Sequence, residues 1–291
     1  MRSLPKPSIK VEDVFIQTIS KVKDKSLKRR LERCLPEIII DSNEFDLKAS
    51  NAKLHEIAEK SHVNGDITKD EMIKVYDGRL AKKDSPGREF YMTLRYPKGI
   101  DKCPLCGQLP IKTLDHYLAK TKHPSLAIAP NNLVPACSDC NKIKGSVNPI
   151  NSEQETLHPY FDNIDGDQWL FAEVIHTDPV SLIFFIRSPD NATKLMEKRV
   201  KYHFELYELN NLYSSEAASE ISDISYQIGR LFDLGGAEAV RLHLTETADS
   251  CLSSRKNSWK SASIKLSQQI HGIVVNVHLR SFNRLLKEYL I

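Results

Sequence analysis

Two cysteine pairs constrain this chain more than any other feature: Cys103-Pro-Leu-Cys106 and Cys137-Ser-Asp-Cys140, with thirty residues between them. Two CxxC knuckles offer four thiolates, the donor set of a closed tetrahedral site and the kind that a structural Zn²⁺ takes. A redox dithiol needs only one pair, at the start of a helix that follows a strand, and does not account for two. Clustered pairs in a reducing compartment favour metal over disulfides. Cys34, inside an apolar helical pattern, reads as a small core residue, and Cys251 stands alone with no assigned role.

The chain of 291 residues is long enough for two domains, or for one built around a small inserted module. Its 41% apolar and 27% charged residues are ordinary for a folded protein, and no apolar run is long enough to suggest a membrane span. The opening Met-Arg-Ser-Leu-Pro-Lys-Pro lacks the apolar core of a signal peptide, so a cytoplasmic location is expected. A net charge of +3 says little about partners. Around the cysteines, however, lysines outnumber aspartates, which permits nucleic-acid binding without requiring it.

Periodicity divides the chain in three: a helical N-terminal region over 1–95, a cysteine module over 96–165, and a β-hairpin followed by helices over 166–291. Val11, Val14, Phe15, Ile19 and Val22 recur at helical spacing, and Leu27, Leu31 and Leu35 continue to an end at Pro36. A further helix is predicted from Glu44 to about Lys60, with Leu47, Leu54, Ile57 and Ala58 as its apolar stripe. Thr68 and Glu71 make a capping-box pattern ahead of Met72. The basic stretch from Arg79 to Arg95 reads first as a solvated helix face. Trp169–His176 and Ser181–Arg187 are strand-like, with Asp178-Pro179 as the turn. Helix is predicted again from Asn191, broken at Gly235-Gly236, with a last helical region from about Trp259 to Leu290 that is interrupted near Gly272. The predicted class is therefore α+β, mostly helical.

The segment between the knuckles carries a second pattern: Leu114-Asp115-His116-Tyr117-Leu118, then Asn131-Asn132-Leu133-Val134-Pro135, then Asn141-Lys-Ile-Lys-Gly145 directly after the last cysteine. Order, spacing and residue types resemble the HNH nuclease family, whose zinc-stapled ββα-metal modules occur in homing enzymes, phage junction resolvases and RNA-guided DNA nucleases. The resemblance covers roughly residues 100–147, under a fifth of the chain. Asn141 stands where the family name has its final His, a familiar variant that keeps an oxygen donor. The resemblance implies that His116 is the general base, and a neutral imidazole can take a proton from water at neutral pH. It implies Asp115 and Asn141 as ligands of one catalytic Mg²⁺ or Mn²⁺, both hard oxygen donors. Asn132, followed by Leu, matches the middle Asn, which braces the loop and holds the base.

Adjacent strand residues point to opposite faces, so Asp115 and His116 are expected to converge only through a local backbone distortion. Lys142 and Lys144, just after the knuckle, are candidates for phosphate contact. His123, before Pro124, is expected in solvent. His158, in His158-Pro-Tyr-Phe-Asp162, is expected to pack beneath the site or to support it. Nothing in the sequence reads bases identifiably; DNA is the first substrate expected and RNA the second. More loosely, the layout resembles the nuclease component of Septu-type bacterial antiphage systems, which implies an ATPase partner. The helical flanks are expected to dock that partner, being too large merely to support so small a module. The alternative is a zinc-ribbon module that binds nucleic acid or protein without cutting.

Overall fold

The computed structural model describes residues 1–175, 181–188 and 192–264. Helix accounts for 54% of the described residues and their strands form small antiparallel pairs, so the class is α+β and mostly helical. The chain divides into two compact units, one of residues 1–164 with 193–207, the other of 165–192 with 208–291.

The first unit opens with α1 (Val11–Ile19) and α2 (Lys25–Ala49). Asp24 starts α2 by accepting hydrogen bonds from the Ser26 and Leu27 amides at 2.8 and 3.0 Å. The predicted stop at Pro36 is corrected: α2 runs through it. Its buried Leu31, Cys34, Ile38, Asp41, Ser42, Phe45 and Ala49 recur at helical spacing. Packing along that one face, on both sides of the proline, outweighs the missing N–H. The helix predicted to reach Lys60 instead ends at Ala49; Ala52 turns left-handed at φ 51°, and Leu54–Glu56 is a single 3₁₀ turn. Leu47, placed on the apolar stripe, is 65% exposed, whereas Leu54 is buried.

A two-stranded hairpin, β1 (His62–Val63) with β2 (Ile67–Thr68), leads into α3 (Lys69–Val75), which begins with the predicted Thr68–Glu71 capping box. A π turn over Tyr76–Leu80 follows, closed by the Ala81 amide donating to the Tyr76 carbonyl at 2.8 Å, and then α4 (Arg88–Arg95). Next come β3 (Thr113–His116), β4 (Leu133–Ala136) and α5 (Ser138–Lys144). Both flanks pack into this segment. From α2, Asp41 accepts from the Ser125 hydroxyl, Asp46 accepts from Asn131 Nδ2 at 2.8 and 2.9 Å, and Phe45 sits edge-on to His158 at 5.8 Å. From the other side α6 (Lys194–Leu206) brings a buried Arg199, which donates to both Asp162 oxygens at 2.8 and 2.7 Å. Arg199 also donates to the Glu155 and Thr156 carbonyls. Much of the flanking helix is thus core for the module.

In the second unit β5 (Leu170–Ile175) pairs with β6 (Ser181–Ile186), as predicted; the Asp178-Pro179 turn lies outside the described residues. Helix α7 (Leu209–Ser254) is interrupted by non-helical Gly235 and Gly236, the latter at φ 64°, ψ −162°, which a side chain would not tolerate. Its two arms meet through Ile228, Val240 and Leu244. Asn257 ties α8 (Trp259–Ile264) to the hairpin by accepting from the Trp169 and Leu170 amides at 2.8 and 3.3 Å. The predicted helix beyond 264, with its interruption near Gly272, lies outside the described residues.

Candidate functional site

The four knuckle cysteines come together. Cys103, Cys106, Cys137 and Cys140 are all buried, and their sulfurs lie within 4.8 Å of one another. A tetrahedron of Zn–S bonds near 2.3 Å has edges of about 3.8 Å, and Cys106 and Cys137 are 4.0 Å apart at sulfur. Each knuckle points an amide at a sulfur: Leu109 N–H to Cys106 Sγ at 3.5 Å, and Cys140 N–H to Cys137 Sγ at 3.3 Å. This cluster is positioned to bind a metal ion, consistent with structural zinc. His203 on α6 braces the first knuckle from behind, its Nε2 donating to the Leu105 carbonyl at 2.8 Å.

Beside the cluster, β3 and β4 pair in unbroken antiparallel register, Asp115 opposite Val134 and His116 opposite Leu133. No local distortion interrupts β3, and the two side chains go to different partners. Asp115 meets the Lys144 ammonium at 3.2 Å, both groups being almost wholly buried. Lys144 also donates to the His116 carbonyl at 2.5 Å. Burial raises the Asp115 carboxyl to about 6 against the opposing pull of Lys144. Lys144, expected at the phosphate, is therefore held inward by the carboxylate. Lys142, on the same helix, is exposed. Asn141 is one turn before Lys144, three residues away, so the two share a helix face.

His116 is fixed from the opposite side. Its Nε2 donates to the Ala127 carbonyl at 2.9 Å, which leaves the lone pair of the neutral ring on Nδ1. Burial pushes its pKa down to about 3, so the ring is neutral at physiological pH. The Ala127 carbonyl is itself held by the fold around Asn132. That side chain, fully buried, accepts from the Leu118 amide at 2.7 Å and donates to the Leu118 and Leu126 carbonyls at 3.1 and 3.0 Å. Asn131 instead turns away to Asp46.

Two side chains near His116 escape a motif-based reading. Tyr76 places its ring 4.4 Å from the imidazole, and the Lys120 ammonium lies 4.5 Å over the Tyr76 ring. Tyr76 sits forty residues upstream in a helical pattern with no sequence signal beyond its apolar period. The expectation for His123 is corrected: it is buried, and its Nε2 accepts from Asn148 Nδ2 at 2.8 Å. His158 does pack beneath the site, among Tyr117 at 4.5 Å, Phe161 at 4.8 Å and Phe45.

The chain is similar to a phage protein. The Ea31 protein of Escherichia phage lambda is 27% identical over 237 residues, covering 78% of this chain and 80% of the phage protein. No family model and no solved structure matches the chain. Among the described residues no helix is long and apolar enough to cross a membrane.

Proposed function

We propose that the chain is an HNH-type, metal-dependent endonuclease that hydrolyses phosphodiester bonds of DNA. The observation that carries this reading is a histidine whose Nε2 is held by the Asn132-braced loop, leaving Nδ1 as its free acceptor. It stands on a β3–β4–α5 succession stapled at both ends by four cysteines. The four cysteines would hold structural Zn²⁺. Asp115 and Asn141 would supply hard oxygen donors for Mg²⁺ or Mn²⁺, the ion taking the place of the Lys144 ammonium beside Asp115. When bound, that ion would stabilise the charge developing on phosphate and leaving oxygen. His116 takes the proton of the attacking water at Nδ1, and the Ala127 carbonyl stabilises the charge the ring then carries. Lys142, which is exposed, would meet the backbone of the nucleic acid.

A second reading, a zinc-stapled binding module without catalysis, draws on the burial of Asp115 and Lys144 against each other. One experiment separates the two. Purified protein is incubated with plasmid DNA, and in parallel with single-stranded RNA, in Mg²⁺ and in Mn²⁺. Cleavage is expected, and His116→Ala should lower it by a factor of about 10² to 10⁴ with zinc content unchanged. Intact substrates in both metals would favour the binding module, and equal turnover by the variant would remove His116 as the base. An ATPase partner, proposed on the looser resemblance to antiphage systems, is tested by co-purification with the product of a neighbouring gene.

A further inference from the structure

His116 leaves β3 into a seat with two walls. One is the Ala127 carbonyl, which holds Nε2 at 2.9 Å but leaves the imidazole able to rock about that single bond. The other is the ring of Tyr76, whose centroid is 4.4 Å from that of His116 with the planes at 68°. An edge-on contact of this kind fixes the plane of the imidazole as well as its position.

Tyr76 comes from the N-terminal helical region, not from the cysteine module. It stands where α3 gives way to the π turn, and its own carbonyl takes the Ala81 amide five residues on. Such turns recur where a helix must re-aim a side chain at a functional site. Tyr76 is buried and supported in turn by Tyr91 at 6.5 Å. Lys120 caps the ring from outside and is anchored by Asp77, the next residue of the same turn, at 2.5 Å. We propose that Tyr76 is a positioning residue for His116, acting through its ring, and that the N-terminal region thereby completes the candidate active site.

The proposal rests on the nuclease reading, and its test keeps the two apart. With the full chain, plasmid DNA and Mn²⁺, Tyr76→Leu should lower kcat about 10- to 100-fold, the cost of a misaligned base, with KM for DNA unchanged. Tyr76→Phe, which keeps the ring, should recover most of that loss. Without DNA, the carbon-bound ring protons of His116 are followed by NMR. The shift imposed by the tyrosine ring should vanish in Tyr76→Leu and persist in Tyr76→Phe. Zinc content controls for folding, and Tyr76→Met replaces the leucine variant if that one fails to fold. Undiminished kcat in the leucine variant, a phenylalanine variant as slow as leucine, or an unmoved His116 shift would overturn the proposal. An unaltered chain that cuts nothing, while the His116 shift still responds to Tyr76→Leu, would overturn the nuclease reading and the positioning role with it.

Discussion

Lys144 and Asp115 form an ion pair with almost no access to water, and such pairs punish the loss of one member more than they reward the presence of both. Removing the ammonium leaves a buried carboxylate without its counter-charge. Lys144→Met, similar in volume, should therefore cost about 3–5 kcal/mol of stability, read as a lower urea midpoint with an unchanged slope. A change below the error of the measurement would mean that water reaches the pair. The contrast with Lys142 is instructive: both lysines follow the second knuckle in the same short helix, and only the fold distinguishes a surface cation from a buried one. Asn132 and Asn131 are a second such pair. The Leu after Asn132 marked it as the bracing residue, and its three hydrogen bonds to Leu118 and Leu126 are those of a brace. His123 shows the opposite case, since a lone histidine before a proline carries no local sign of burial; its partner Asn148 lies twenty-five residues away.

At the scale of elements, β3, β4 and α5 are short, four, four and seven residues, too little regular structure to hold themselves together. The cysteine cluster joins the loop before β3 to the start of α5 and so closes both ends of this succession. Purified protein should carry about one tightly bound Zn²⁺ per chain. Cys106→Ser, or prolonged chelation, should release it and lower the melting temperature, measured by metal analysis and circular dichroism. Metal-free protein that melts like the untreated chain would show the cluster to be dispensable. Elements closed by local chemistry were legible: the Thr68–Glu71 capping box, the β5–β6 hairpin and the Gly235-Gly236 break all rest on residues a few positions apart. The path of α2 was not, because a proline is a local signal to stop. The burial of Leu31 through Ala49 on one face is a property of the packed molecule.

For the whole molecule, the first unit is discontinuous: α6 returns to residues 1–164 after the chain has visited the second unit. Arg199 and His203 bring that helix onto Asp162 and the Leu105 carbonyl, both inside the cysteine-bearing segment. A chain of residues 1–164 joined to 193–207 by a flexible linker should fold and keep its zinc. Residues 1–164 alone should be less stable by about 3–5 kcal/mol, the cost of leaving Asp162 without its buried partner. Equal urea midpoints for the two would show α6 to be an attachment rather than core. By itself the sequence determined the chemistry available at the site: four thiolates in two knuckles, a histidine beside an aspartate, and two asparagines at fixed spacing, because knuckles, caps and motifs are written in neighbouring residues. The tertiary structure alone decided which of those groups are reachable and what holds them. It turned Lys144 inward, brought Tyr76 onto His116, and spent faces of α2 and α6 on the module's core, because burial and long-range contact depend on residues that meet only when the chain is folded.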